Sequence, residues 1–143
     1  MNIRAFQEPD EPQVIALWDA CGLLRSWNNP HADIARKLTV QREWFLVGCH
    51  GATLIASAMA GFDGHRGWIN YLAVAPSHRL QGHAAAMMQH VQALLLAAGC
   101  SKLNLQVRAG NHDAIAFYQS MGYLQEEVVS YGKRLVVDTP SEH

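Results

Sequence analysis

The sequence predicts a mixed α/β (α+β) fold, in which a twisted, mainly antiparallel sheet of about seven strands is flanked by about four helices. Apolar residues alternate in short segments typical of strands and recur at helical spacing in longer ones. Three predicted strands follow one another directly, which favours an antiparallel meander. A strand–helix–strand unit comes next, and its crossover predicts one parallel pair. These observations argue against a doubly wound parallel sheet.

The first third of the chain predicts one strand and two helices. Asn2–Phe6 alternates like a short strand, and a helix with an apolar stripe follows Pro12. Gly22 ends this helix. We expect a loop over Leu23–Asn29 and a second short helix over Pro30–Thr39.

The rest of the chain predicts the meander and the crossover. The three consecutive strands are Trp44–His50, Thr53–Gly61 and Trp68–Ala75. A long helix over Gly82–Ala98 carries apolar residues along one side and is closed by Gly99. The remaining elements are a strand over Lys102–Arg108, a helix over Asn111–Met121, and strands over Tyr123–Val128 and Tyr131–Val137.

The composition of the chain limits the kinds of partner that we expect it to bind. The chain has 143 residues, of which 50% are hydrophobic and 16% charged, and its formal net charge is −1. This length suits one domain, which we place over residues 1–137, with a short polar tail over 138–143. A near-neutral chain lacks the basic excess of a nucleic-acid or membrane-surface binder, so we expect neither partner. Eight histidines make the charge sensitive to pH near neutrality.

The cysteines and the apolar segments predict a cytoplasmic protein. Cys21, Cys49 and Cys100 are odd in number and widely spaced, which fits buried, reduced thiols better than a disulfide framework. The N-terminus lacks the long apolar core of a signal peptide. The longest apolar stretches, Ala52–Phe62 and Ala93–Gly99, are too short to span a bilayer.

The segment from Leu72 to Ala85 resembles an anion site. A strand ends there, a short loop follows, and a long helix begins with Gly82 and small residues. The first N–H groups of a helix have no intrahelical partner, and the helix dipole favours an anion beside them. Side chains of Arg79, His78 and His83 could add contacts to a phosphate. An ordinary strand–helix loop would have the same spacing, so this alternative stays open.

Other chemistries lack their motifs. The chain has no P-loop, no G-x-G-x-x-G between a strand and a helix, and no G-x-S-x-G elbow. It has neither H-E-x-x-H nor C-x-x-C, so no metal site is predicted.

Two motifs give the chain a resemblance to a known family. Arg79-Leu80-Gln81-Gly82-His83-Ala84 matches R/Q-x-x-G-x-G/A, the acetyl-CoA signature of the GNAT (Gcn5-related) N-acetyltransferases. The later family pattern N-x-x-A-x-x-x-Y-x-x-x-G-[FY] is matched by Asn111, Ala114, Tyr118, Gly122 and Tyr123. The chain resembles this family over essentially its whole length. Segments 24–30, 63–67 and 132–135 are most similar to the small bacterial YpeA-type acetyltransferases.

The resemblance implies acetyl-CoA as cosubstrate. The edge of the strand at Leu72–Val74 would pair with pantetheine and polarise the acetyl carbonyl. Backbone amides around Gln81–Ala85 would bind the pyrophosphate, and Arg79 would lie beside the phosphates. Asn111 would hydrogen-bond the pantetheine arm. The implied cosubstrate-binding residues are Leu72, Ala73, Val74, Arg79, Gln81, Gly82, His83, Ala84, Ala85 and Asn111.

The resemblance also implies that Tyr118 is the general acid that protonates the departing CoA thiolate. A phenol has an ordinary pKa near 10, so it holds its proton at neutral pH. By its position alone, on the apolar stripe of its helix, Tyr118 would be interpreted as a core residue.

One position departs from close relatives that acetylate protein N-termini, which carry a glutamate as general base in the strand before Asn111. Here that position is Gln106, which cannot accept a proton at neutral pH. The base could be His65, a water held by Gln106 and Asn70, or no dedicated group.

The acceptor pocket is predicted from the loop after the first helix and from the turn over residues 62–67. Its candidate residues are Trp27, Asn28, Phe62 and Asp63, although Trp27 could be core and Asp63 an ordinary turn residue. We expect an N-acetyltransferase in which a primary amine attacks the thioester directly. The acceptor is a small amine or a peptide or protein amine. The alternative is a catalytically silent acyl-CoA-binding sensor or regulatory module. An apolar last strand could pair with a second copy, so a monomer and a homodimer both stay open.

Overall fold

The structure, a computed structural model, describes residues 1–138 and contains a five-stranded sheet with four α-helices. The strands are β1 (Asn2–Ala5), β2 (Phe45–His50), β3 (Thr53–Phe62), β4 (Gly67–Val74) and β5 (Leu103–Asn104). The helices are α1 (Glu11–Ala20), α2 (Pro30–Lys37), α3 (His83–Ala97) and α4 (His112–Ser120). Short 3₁₀ turns cover Glu8–Asp10, Arg42–Trp44 and Pro76–His78.

The sheet confirms the predicted meander and crossover. Strands β1 to β4 lie in sequence order and pair antiparallel. Helix α3 then carries the chain to β5, which pairs parallel with β4 at only two positions, Gly67 with Leu103 and Trp68 with Asn104. Beyond these two pairs the strands have no ladder between them, so the sheet opens on that side.

Each face of the sheet has its own apolar core. On the first, Phe6 stacks on Phe45 with ring centroids 4.4 Å apart, and Trp18 of α1 packs beside Phe45. The second face is covered by α3, whose Met87 and Val91 are fully buried. The two layers of helices therefore hold the sheet between them, as the apolar stripes of α1 and α3 predict.

The predicted count of about seven strands is too high, because two predicted strands form no ladder; a third forms but is shorter than predicted. Lys102–Arg108 is a strand only at Leu103–Asn104, and neither Tyr123–Val128 nor Tyr131–Val137 is a strand. Instead, side chains attach this last segment to β5: Glu126 pairs with Lys102 and accepts from Asn104, and Ser130 accepts from Gln106. Alternation of apolar residues makes a strand only where a neighbour supplies backbone partners. The exposed apolar side chains of the segment are Leu124, Val128, Val129, Tyr131, Leu135, Val136 and Val137.

Other element predictions agree within one to three residues at their ends. The three cysteines are unpaired, and Cys49 and Cys100 are buried. No helix within residues 1–138 has the length and apolar character needed to cross a membrane. Of the predicted polar tail, Asp138 makes an ion pair with Arg36 of α2, and residues 139–143 lie outside the described part of the chain.

A bulge in β4 bends the strand at Tyr71. The pairing of β3 with β4 shifts register between Ser57 and Met59, and Tyr71 has a φ of +53°, which is uncommon for a bulky residue. The buried Ser57 hydroxyl accepts from Trp18 Nε1 at 2.9 Å and donates to the Tyr71 carbonyl at 2.8 Å. The Tyr71 ring stacks on Trp18 at 3.8 Å between centroids. One serine thus connects helix α1 to the bulge.

We predict that Ser57→Ala lowers the free energy of unfolding by about 2–4 kcal/mol, because it leaves the Trp18 indole N–H and the Tyr71 carbonyl without their partner in a buried site. Urea denaturation measures the change. Ser101→Ala, at an exposed position, is the matched control and should stay within about 0.5 kcal/mol of the wild type. A loss below about 1 kcal/mol for Ser57→Ala would show that the serine does not hold the bulge.

Candidate active site

The opening between β4 and β5 provides an unpaired strand edge. After Trp68 and Asn104 the two parallel strands separate, while β4 continues to Val74 paired only with β3 among the described residues. The segment Leu72–Val74, which includes three predicted site residues, therefore presents backbone groups along one side of the opening. An extended ligand can pair with such an edge as an added strand would.

The start of helix α3 lies directly beyond this edge and has free backbone donors. Gly82 is the residue before the helix, with a φ of +82°, and no side chain caps the helix there. The Ala86 N–H is bonded to the Gly82 carbonyl, so the N–H groups of residues 83–85 have no intrahelical acceptor. Arg79 is anchored beside them by its Nε, which donates to the Val74 carbonyl at 3.3 Å. The arrangement suits an anionic group, as the sequence predicts.

Three histidines surround the same helix start. His78 and His83 were expected there, and the structure adds His50, the last residue of β2. The sequence contains no local signal for His50, because the antiparallel register alone brings the end of β2 beside the loop.

Tyr118 lies on α4, packed against the core that α3 covers. Its ring contacts Phe117 and Tyr123 edge to face, at 5.1 and 5.7 Å between centroids. Burial, with a smaller contribution from Tyr123, raises the pKa of Tyr118 to about 12. The phenol is therefore a stable proton carrier across the neutral range. Asn111 caps the same helix, since its side-chain oxygen accepts from the Ala114 N–H at 3.2 Å, leaving its amide hydrogens for another partner.

The loop between α1 and α2 lies beside Arg108, which follows the end of β5 by four residues. The Arg108 guanidinium lies 5.8 Å from the centre of the Trp27 ring, a cation–π distance. Nearby, the Tyr71 hydroxyl donates to Asp33 at 2.6 Å and also interacts with Asn28. Burial and then the Asp33 carboxylate hold the pKa of Tyr71 above its ordinary value. Trp27 and Asn28 thus lie close to Arg108, Tyr71 and Asp33, and their assignment to an acceptor pocket stays a prediction.

Sequence reasoning missed Tyr71, Asp33 and Arg108 as members of this group. Arg108 could have been found, because it alternates with Gln106 on one side of the predicted strand. Tyr71 could not, since a left-handed tyrosine in a strand has no sequence signature.

The β3–β4 turn is separate from this group. Its members Phe62, Asp63 and His65 precede β4, and Tyr71 of the group lies four residues beyond the first residue of that strand, roughly 13 Å along it at about 3.3 Å per residue. Asp63 accepts the N–H groups of residues 65 and 66, both at 2.7 Å, and the Trp68 indole N–H at 3.3 Å. Its carboxylate is thus occupied in ordering the turn, the alternative that the sequence left open.

Asn70 and Gln106 follow the last ladder pair on opposite sides of the opening. Asn70 is exposed on β4. Gln106 Nε2 donates to Ser130 Oγ at 2.6 Å, so its amide is oriented by the C-terminal segment. Neither side chain is an acid, and the carboxylate of the neighbouring group, Asp33, already accepts from the Tyr71 hydroxyl and pairs with Arg36.

The fold is shared with two acetyltransferase structures. One is AAC(6′)-Iy in complex with the bisubstrate analogue CoA-S-monomethyl-acetylneamine, with a TM-score of 0.76, 19% identity, and coverage of 93% of this chain and 97% of that one. The other is the ribosomal-protein-S18-alanine N-acetyltransferase from Escherichia coli, with a TM-score of 0.70, 24% identity, and coverage of 85% and 76%.

The chain belongs to the acetyltransferase (GNAT) family, whose sequence profile matches residues 4–123. It is 45% identical over 138 residues to an acetyltransferase of Yersinia pestis (strain Pestoides F), covering 96% of this chain and 98% of that protein. The resemblance carried by the two motifs is confirmed. The narrower likeness to YpeA-type acetyltransferases stays a prediction.

We predict that Tyr71→Phe lowers the free energy of unfolding by about 1–2 kcal/mol, because it keeps the stack on Trp18 and removes only the hydroxyl that donates to the Asp33 carboxylate. Chemical denaturation measures the loss. Tyr131→Phe is the matched control, because Tyr131 is 92% exposed, and it should leave stability unchanged. Equal stability of the two variants would contradict the role given to the Tyr71–Asp33 bond.

Proposed function

We propose that this chain is an acetyl-CoA-dependent N-acetyltransferase that forms a ternary complex and transfers the acetyl group directly to a primary amine. The observation that carries the proposal is the row of unpartnered N–H groups at the start of α3, lying directly beyond the free edge of β4. A long ligand with a phosphate at one end and an amide-containing arm at the other matches both features together. Acetyl-CoA is such a ligand.

The cosubstrate would lie along these two features. Backbone amides over residues 81–85 would bind its pyrophosphate, with Arg79 beside the phosphates. The pantetheine arm would run along Leu72–Val74, and the acetyl carbonyl would accept a hydrogen bond from this edge. Asn111 would donate its free amide hydrogens to the arm. Family membership and the matching signature support this placement.

In the chemical step, the nitrogen lone pair of the acceptor attacks the thioester carbonyl carbon and the C–N bond forms. The carbonyl oxygen takes up negative charge, which backbone N–H groups stabilise. As the intermediate collapses, the C–S bond breaks and the Tyr118 hydroxyl donates its proton to the departing thiolate. The acceptor nitrogen releases its extra proton to solvent, and the phenolate is reprotonated from solvent. No bond to the protein forms.

The acceptor side has no carboxylate at position 106, and this limits the amine. A lysine-like amine with a pKa near 10.4 costs roughly 4–5 kcal/mol to deprotonate at pH 7, whereas an α-amine near 7.7–8 costs only about 1–1.5 kcal/mol. We infer that a weakly basic amine is preferred, deprotonated through water rather than by His65, which lies at the far end of β4. The acceptor would be a small amine or a peptide amine bound beside Trp27 and Arg108.

A second function is favoured by Gln106 itself. If no group on the chain removes the acceptor's proton, the fold could serve as a silent acyl-CoA sensor that reports to a protein partner. Calorimetry with acetyl-CoA, followed by thiol-release assays on a panel of small amines and peptides, separates the two. Binding with turnover supports the enzyme. Binding without turnover, together with a stable partner in pull-downs, supports the sensor, and absence of binding refutes both.

We predict that Tyr118→Phe lowers kcat by about 10²-fold or more while the dissociation constant of acetyl-CoA changes little, because only the proton donor to sulfur is lost. Thiol release under saturating substrates measures kcat. Tyr131→Phe, which alters an exposed phenol, should retain the wild-type rate. Full activity of Tyr118→Phe would remove the assigned acid.

The raised pKa of Tyr118 also predicts the shape of the pH–rate profile. A general acid acts in its protonated form, and with a pKa of about 12 Tyr118 keeps its proton throughout the assay range. The rate should rise with the deprotonation of the acceptor amine and then level off, without falling between pH 8 and roughly 10. Initial rates corrected for spontaneous thioester hydrolysis provide the profile. A descending limb centred below about pH 10 would contradict the assignment of Tyr118.

A further inference from the structure

The C-terminal segment runs from the side of strand β5 to helix α2. At one end Ser130 accepts from Gln106, two residues beyond β5, and at the other end Asp138 pairs with Arg36 of α2. Residues 132–136 lie between these attachments. Together with Arg36 and Asp138 they line an open groove of about 670 Å³, which we call the C-terminal groove. Its volume lies within the range of about 300–1,000 Å³ that is usual for ligand sites.

A chain of contacts joins this groove to the free edge of β4. Arg36 Nη2 lies 2.6 Å from the Asp138 carboxylate in the groove and 2.8 Å from the Asp33 carboxylate. Asp33 also accepts from the Tyr71 hydroxyl at 2.6 Å, and Tyr71 directly precedes Leu72–Val74. Both carboxylates along this path are thus already bound to Arg36. An acceptor whose amine reaches the thioester at the edge of β4 can extend the rest of its chain past Asp33 into the groove.

Three cations beside the same path have no ion-pair partner within residues 1–138. Lys133 and Arg134 line the groove, and Arg108 lies over the Trp27 ring. Arg134 acts on Asp138 electrostatically without forming an ion pair with it. A guanidinium has five N–H donors in a planar fork that matches a carboxylate, and those of Arg108 have no acceptor in the described part of the chain. Carboxylates on the acceptor would complement this local positive charge.

The backbone that lines the groove is also available to a ligand. Residues 132–138 belong to no helix or strand, and their backbone groups make no hydrogen bond with another backbone group of the described residues. An extended peptide can bond to such free backbone groups as an added strand does. A small amine is too short to use them. The groove therefore favours a peptide over a small amine as the acceptor.

We infer that the acceptor is the N-terminal α-amine of a peptide that carries Asp or Glu in the residues after the amine, with these carboxylates bound by Arg108, Lys133 and Arg134. This inference rests on the proposed function, because it assumes that the acetyl group is transferred to an amine beside Trp27. It adds the charge and the length of the acceptor to that function. An α-amine is also the weakly basic acceptor that Gln106 favours.

The test compares kcat/KM of the full chain for three hexapeptides that share an N-terminal alanine and carry glutamate, glutamine or lysine at their second to fourth positions. At about pH 9 the α-amine is mostly neutral in all three peptides, so differences in its pKa contribute little. We expect the glutamate peptide to exceed the glutamine peptide about five- to twentyfold at low salt, because each exposed ion pair contributes up to about fivefold. The lysine peptide should be the slowest. The excess should shrink at about 0.5 M salt, where exposed charges are screened.

Variants assign the preference to the three cations. Arg108→Gln and, separately, the double variant Lys133→Gln/Arg134→Gln should each lower the ratio of the glutamate to the glutamine peptide. Arg108→Lys should keep part of the ratio, because it retains the charge and loses only the planar fork. Arg42→Gln removes an exposed cation from the 3₁₀ turn after α2 and, as the matched control, should preserve the ratio. Circular dichroism confirms that every variant is folded.

The outcomes separate this inference from the proposed function. Equal kcat/KM for the glutamate and glutamine peptides, faster transfer to the lysine peptide, or an unchanged ratio in both groove variants would overturn the acidic peptide and leave acetyl transfer intact. Transfer to small amines alone, with free glutamate among those assayed, would overturn the peptide as acceptor. Absence of transfer to every peptide and every small amine would overturn the proposed function itself.

Discussion

The buried hydroxyl of Ser57 connects the two parts of the molecule on which the site depends. It accepts from Trp18 on α1 and donates to the Tyr71 carbonyl at the bulge of β4. A tyrosine with positive φ is disfavoured on its own, so the surrounding contacts must hold it there. The stack on Trp18 and the bond to Asp33 hold the side chain, while Ser57 holds the backbone. Contacts from three sides thus fix the bulge in place.

The bulge lies in the part of β4 that has already diverged from β5. The two strands are parallel and paired only at Gly67 and Trp68, after which β4 runs on with one edge free. Pairing over their full length would leave no backbone donor for a ligand. The C-terminal segment does not extend the ladder; Glu126 accepts from Asn104 of β5, and Ser130 accepts from Gln106, two residues beyond it. The opening therefore depends on incomplete pairing on one side and on the rigid attachment of β4 to α1 on the other.

The sequence could predict those features that are local. Helix ends followed from Gly22, Gly99 and Gly122, and the uncapped start of α3 from the loop before Gly82. Features that depend on how distant segments meet were beyond it. His50 joins the loop only through the register of β2, and Tyr71 reaches Asp33 only because α2 packs over the bulge. The last two predicted strands show the converse error, since their apolar alternation is real but no neighbouring strand supplies the backbone partners.

The near-neutral net charge of −1 affects how the start of α3 would select an anionic ligand. A chain that attracts polyanions through bulk charge would bind many of them and discriminate poorly between them. Here fixed partial charges at the start of α3 provide attraction that is confined to one spot, with Arg79 as a permanent cation beside them. Attraction that is confined to one helix start gives selectivity without a basic surface.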